Sequence, residues 1–467
     1  MAFRSNWRNA QEWMDHGLPI KSTTSNEAIK LYDCALTQYV GWYDDPQEDH
    51  GLGGTLGRMN ELDPNFILGK ALSIGINLIG SGVTTRRDAK LKAALDDLKA
   101  MADKRKSEIE WREWVHVQAI DRFARGRMKE ANQLWEEILL RHPTDMMALK
   151  FTTDTYFYLG EKHSIRDSVA RVYPEWLKRN LPLSCYIHGL YAFGLEETQN
   201  YKKAEHEAKL GLEKNPYDAW ATHALAHVYE MATDAKTGLG MLSSTIHQWD
   251  QCNYLASHNY WHWALFHMEM EEPEASAEIL ENIITRADKS GSMLDLVDTC
   301  SLLYRLELLH PNSGFTKTDQ WKKAYELSKP HFDDQLLGFN EVHFAMTCLG
   351  IGNEQGIEGI LEGIKTVSSF EDVTDNWHNI TKTLIEAMVD FQRERFDQTV
   401  EKLWRIRYDI INIGGSDAQR DVFNQLLIMA ALKAKNWNMC RALFNERRLF
   451  KGDDIIVRKW ATSIDIH

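Results

Sequence analysis

Cysteine, glycine and proline are all scarce in this chain, and each scarcity removes a class of protein. Six cysteines are spread over 467 residues: Cys34, Cys185, Cys252, Cys300, Cys348 and Cys440. No two form a CxxC, and none stands within about thirty residues of another, so neither a zinc ribbon nor a disulfide framework is expected. That usage suits a reducing compartment. With only 28 glycines, 10 prolines and no low-complexity run, extended disorder is not expected. No stretch approaches the ~18 apolar residues of a membrane span. The opening MAFRSNWRNAQEW carries charges and no apolar core, so a secretory signal is not expected either. Basic residues are outnumbered, 54 to 68, for a formal charge of −14. A surface of that sign repels phosphate backbones, which argues against nucleic acid as a partner. The one mixed run, KLKAALDDLKAMADKRKSEIEWRE, has the pattern of a solvated helix face. A soluble cytoplasmic protein with no membrane partner is the expectation.

Strand signals are scarce too. What is present is helical spacing: LKAALDDLKAMADK, MKEANQLWEEILLRH and KKAEHEAKLGLEKN each step their apolar residues by three and four. The breaks are short and hold Gly, Asn or Pro. DHGLGGTLGRMN is expected to be a loop, and it lacks the Lys-Ser/Thr ending of a phosphate-binding loop. GGSD at Gly414–Asp417 has the form of a turn followed by a helix N-cap. The fold expected is all-α.

Those helices repeat. WREWVHVQAIDRFARGRMKEANQLWEEILLRHP and CYIHGLYAFGLEETQNYKKAEHEAKLGLEKNP align on Ala131 and Ala204, each with an alanine twelve residues upstream, Ala119 and Ala192, and a proline twelve downstream. Ala264 and Ser276 give a third instance. The reference positions 131, 204 and 276 stand 73 and 72 residues apart, or roughly two repeats of ~34 residues. That is the tetratricopeptide layout, in which small residues let two antiparallel helices approach. The expected organisation is an N-terminal helical region over 1–105, a repeat core over 106–290, and C-terminal helical repeats with a cap over 291–467. Longer strings, among them STTSNEAIKLYD, HPTDMMALKF, RDSVARVYPEW, HNYWHWAL and GGSDAQRDVFNQLL, resemble the tetratricopeptide repeat protein 38 family from about residue 17 to near the C-terminus. The resemblance implies a solenoid of divergent repeats in a soluble intracellular protein. It brings no reaction or substrate with it. Ala stands where the repeat prefers Gly and the repeat lengths stretch, so a closed, compact array is an alternative to an open superhelix.

In that register the helix YDAWATHALAHVYEM turns Trp220, His223, His227 and Glu230 toward the concave side, while Leu225, Ala226 and Tyr229 pack. Steps of four and seven from His223 keep the three polar residues within about 60° of arc. One repeat on, SHNYWHWALFHME sets His258, His262 and Glu269 on a similar stripe, with the register open by one residue. Adjacent first helices pack side by side, so the two stripes can meet. Imidazoles at i, i+4 with a carboxylate form a donor set for a divalent metal, Zn²⁺ or Fe²⁺ in type, and His223, His227 and Glu230 are the candidates. The same groups suit acid–base chemistry, a polar groove wall or a buried hydrogen-bond network. No H-E-x-x-H is present, and no other cofactor is expected. His116 and Asp154 also face the groove in this register, and Gln419 or Arg420 could reach it from the C-terminal helices. Two functions remain open. One is a groove for a peptide or protein segment. The other is an enzyme or small-ligand pocket where the two histidine stripes converge, walled by Trp220, Tyr260, Trp261, Trp263, Phe266 and the upstream Tyr156–Tyr158 run.

Overall fold

A computed structural model describes residues 4, 6–45, 47, 50–253, 255–367 and 377–464. Among them every regular element is a helix. From Asn26–Gly41 onward the helices come in antiparallel pairs, an inner one followed by an outer one, in the manner of a tetratricopeptide solenoid. The two classes differ in what they bury. All 13 residues of the inner helix Ala219–Met231 are buried, whereas the outer helix Tyr201–Lys214 buries only Ala204, Glu207, Ala208 and Gly211. Those outer residues form the single stripe that a three-and-four spacing produces. Short polar residues start the inner helices: Asp218 Oδ1 accepts from the amides of Trp220 and Ala221 at 3.0 and 3.2 Å.

The twelve-residue spacing marks where an inner and an outer helix touch. Ser276 Oγ donates to Ala264 O at 2.7 Å, and Thr399 Oγ1 donates to Ala387 O at 3.2 Å. The second contact places a repeat at Trp377–Gln392 and Phe396–Ile406, where the sequence carries Thr in the small-residue position. Gly51–Leu62 is a helix, not the loop its glycines suggest. Packing overrides propensity there: Thr55 and Met59 bury one narrow stripe, and Thr55 Oγ1 accepts from Gln38 Nε2 at 2.7 Å.

The superhelix closes on itself. Tyr39 OH donates to Asp154 Oδ2 at 2.6 Å, Trp220 Nε1 to Val40 O at 2.9 Å, and the Asn253 amide to Trp42 O at 2.7 Å. Arg86 reaches the carbonyls of Asp334 and Gln335, the latter at 2.8 Å. The helix Asp417–Lys433 is buried on nearly every side and enters the middle of the array N-terminus first. It is seated by a pair of turns. Gly160 (φ 68°) lies so close to Ile411 that a Cβ would stand 1.9 Å from its carbonyl oxygen. Gly414 (φ 91°) lies close against Tyr158 in turn, 2.5 Å from Cβ to carbonyl oxygen. Only glycine combines that left-handed backbone with that approach. Ser416 then caps the helix reciprocally with Gln419, at 3.1 Å each way, as the GGSD spacing suggests.

Candidate functional site

Closure leaves a central cavity of about 600 Å³. Inner helices from both ends of the chain wall it. Tyr39 and Trp42 come from the first pair, Phe157 and Phe193 from the middle, Val297 and Phe339 from beyond, and Gly414–Gln419 from the inserted helix. The lining residues exposed to solvent are Asn77, Gly80, Val83, Ser290 and Gly291, so the mouth lies between the end of the Ile67–Ile79 helix and the 290–292 turn. No Lys or Arg is among the described lining residues; their only formal charges are Asp88 and Asp154.

The two histidine stripes meet on this wall. Helices Ala219–Met231 and Leu255–Glu269 lie side by side, and each presents an i, i+4 pair. Ring centroids of His223, His227, His258 and His262 are 4.4 to 6.2 Å apart. One ring nitrogen from each lies within 4.8 Å of the others. Both histidines whose register was open, His258 and His262, therefore point inward. His223, His227 and His258 line the cavity, with His262 behind them.

Two of the rings are held from outside. His258 Nδ1 donates to Asp298 Oδ2 and His262 Nδ1 to Glu230 Oε2, both at 2.7 Å. Those bonds fix the tautomers and leave Nε2 of each ring for the centre of the group. His223 and His227 share one bond, Nε2 to Nε2, at 2.8 Å. His227 Nδ1 faces Glu196 at 3.5 Å and Glu197 at 3.9 Å. Burial, and after it the neighbouring imidazoles, push His223 and His227 well below their ordinary pKa. Burial likewise lowers His262 against the pull of Glu230. All three are neutral at pH 7. Glu196 moves the other way: burial first, then the Glu197 carboxylate, raise it well above the usual carboxylate range.

The remaining candidates fall into place around this group. The sequence put Glu230 in the donor set; the structure puts it one hydrogen bond further out, between His262 and Lys451 Nζ at 3.3 Å. Trp220 packs edge-on to His223 and belongs to the wall. Asp154 also lines the cavity, paired with the buried Lys150, whose ammonium sits 4.3 Å from the Trp220 ring centroid. His116 is elsewhere, bonded to Asp145 at 3.2 Å beside Arg112. Glu269 leaves its stripe to cap Ile455 at 2.8 Å. Gln419 reaches the cavity, whereas Arg420 turns back onto Gly414, Gly415 and Asp417. Sequence reasoning missed Asp298, Glu196 and Glu197. Asp298 lies forty residues beyond His258 and only the packing of Met293–Leu309 brings it in. The adjacent Glu196-Glu197 pair at the end of a buried apolar helix was the one available signal.

No family model matches the chain. Among solved structures it is similar to the APC/C hetero-tetramer Cut9-Hcn1, at 12% identity and a TM-score of 0.38 over 97% of this chain and 88% of that one. It is similar to a monomeric IFIT1 mutant with Gppp-AAAA, at 13% and 0.36 over 95% and 98%. The human IFIT1 dimer with m7Gppp-AAAA gives 13% and 0.37 over 92% and 95%. Likeness at this level says nothing about a ligand.

Proposed function

We propose that this chain is a small-ligand protein that encloses a neutral or cationic molecule with a mostly apolar body, its polar end against the imidazole group. The observation that carries this reading is the cavity of about 600 Å³, walled by inner helices from both ends of the chain and free of Lys and Arg among its described lining residues. That volume suits a metabolite- or drug-sized ligand. The absence of a lining Lys or Arg disfavours phosphates and carboxylates, because no side-chain charge at the wall would compensate theirs. Tyr39, Trp42, Phe157, Phe193, Trp220 and Phe339 supply apolar walls, and His223, His227, His258 and Asp154 supply the few placed polar groups.

A concave groove for a peptide or protein segment has less behind it. His227 is fully buried, and Gly414, Gly415, Ser416 and Gln419, at the start of the Asp417–Lys433 helix, wall the same space. The strings that resemble the tetratricopeptide repeat protein 38 family add no reaction, so the reading stands on the cavity alone. The test is to denature purified full-length protein and identify small molecules released in stoichiometric amount by mass spectrometry. A comparison variant is Leu294→Trp, which puts an indole into the lumen. The expected result is a released small molecule that the variant retains at least about tenfold less well. Release of nothing from either protein, together with tight binding of an extended peptide, would overturn the reading.

A further inference from the structure

The imidazole group has a geometry that a polar wall does not need. Two i, i+4 pairs on neighbouring helices set four rings around one point, with a nitrogen of each within 4.8 Å of the rest. A tetrahedron of that largest edge has its centre about 2.9 Å from each corner, and an imidazole–metal bond is about 2.0–2.1 Å, so the rings need to move by under about 1 Å, with the 2.8 Å His223–His227 pair opening slightly. The outer partners are those that metal-binding histidines use. A carboxylate on Nδ1 fixes the ring and raises the basicity of Nε2, and here Asp298 and Glu230 do this for His258 and His262.

A metal-free hydrogen-bond network accounts for less of the group. Four imidazoles in such a network would pair their nitrogens with one another or with fixed partners. Three bonds are of that kind, His223–His227, His258–Asp298 and His262–Glu230, and they leave buried nitrogens over. His262 Nε2, held inward by its bond to Glu230, is buried with no hydrogen-bond partner, as are His223 Nδ1, His227 Nδ1 and both oxygens of Glu196. A cation at the centre satisfies the inward nitrogens and makes the His227 Nδ1 proton a stronger donor toward Glu196 and Glu197.

We propose that His223, His227, His258 and His262 hold one divalent first-row transition ion, Zn²⁺ or Fe²⁺ in type, at the wall of the cavity. Asp298 and Glu230 are its positioning residues. Four neutral nitrogen donors suit imidazole-preferring ions and not Ca²⁺ or Mg²⁺, which take oxygen. Because three of the four histidines line the cavity, expansion from four ligands to five would put the added position on the lumen side, where the ion would polarise a carbonyl or a bound water. That added position rests on the pocket reading; the ion itself does not.

The test uses the full-length chain with any polyhistidine tag removed, stripped with chelator and titrated with Co²⁺ alone. The wild type is expected to develop visible d–d absorption that saturates at about one equivalent, and to keep about one Zn²⁺ per chain after desalting. His223→Asn combined with His258→Asn should lose both signals, with an unfolding midpoint in chelator close to that of the wild type. Asp298→Asn, nearly isosteric, should keep the absorption and weaken Co²⁺ binding about 10–100-fold. Retention of under about a tenth of an equivalent by the wild type overturns the proposal. So does a Co²⁺ spectrum unchanged in the double variant, and Asp298→Asn answers the question if that variant does not fold. Leu294→Trp separates the two readings: it should lose the small molecule and keep the ion.

Discussion

Glu230 has one oxygen in each of two buried polar clusters, and the clusters are built on opposite terms. On one side Arg447 donates twice to Asp421, at 2.8 and 3.0 Å, and once to Asp454 at 2.7 Å, while Lys451 spans Glu230 and Asp421. Every charge there has a countercharge. Burial alone would raise the Asp421 carboxyl, but Arg447 and then Lys451 hold it well below the usual carboxylate range. On the other side four imidazoles leave buried nitrogens of His223, His227 and His262 without hydrogen-bond partners beside a cavity. A paired network of buried charges fastens the Asp417–Lys433 and Trp437–Lys451 helices to the body. A partly unpaired one has unmet hydrogen-bonding capacity beside a space that something else can enter. Satisfaction of the buried groups, more than their residue types, separates a fastening from a site.

That contrast can be broken at the fastening first. Arg447→Met strands two buried carboxylates and should cost about 3–5 kcal/mol in urea unfolding. Because the folded pKa of Asp421 is depressed, its contribution is present above the unfolded value and lost as pH falls below about 4, so the acid limb of the wild-type stability curve should flatten in the variant. A variant as stable as the wild type would mean that the pairing fastens nothing.

Glu341 is a fully buried carboxyl that belongs to neither cluster. Burial, then Asp334, raises it well above the usual range against the pull of Arg86. A raised folded pKa gives stability that is full below the unfolded value and lost as pH rises. Glu341→Gln should therefore gain on the wild type by up to about 1.4 kcal/mol per pH unit above pH ~4.5, measured as unfolding free energy at pH 5, 6 and 7. Parallel pH profiles would contradict the assignment. At the site itself the expected change is smaller. His223→Leu removes a buried unpartnered nitrogen and should shift chelator-treated stability by less than about 1 kcal/mol. A larger loss would place His223 among the fastenings. Least of all, cutting the exposed Arg405–Glu401 pair with Arg405→Ala should change stability by at most about 0.5 kcal/mol.

The sequence carries local order well and encounters poorly. Three-and-four spacing and the Ala119/Ala131, Ala192/Ala204 and Ala264/Ser276 steps convey helices and their pairing, because each depends on contacts within one repeat. The stripe of His223, His227 and Glu230 is legible for the same reason. What the stripe meets is not. Asp298 arrives from the second inner helix on, and the Gly414–Gln419 wall arrives from nearly two hundred residues away. The Gly51–Leu62 helix shows the opposite error: its glycines argue for a loop, yet two buried side chains decide the matter through partners that the local string does not contain.

The reciprocal seat of Gly160 on Ile411 and of Gly414 on Tyr158 has a consequence in time. A chain emerging from the ribosome assembles its repeats one after another, each needing only its neighbour. The lumen does not follow that order, because its last wall is made by residues beyond 411. Until they emerge, His223, His227 and His258 stand at the edge of an unfinished bowl, open to water. The pocket thus waits on residues that emerge late, and a chain cut short before Gly414 would fold many of its helices and lack that wall.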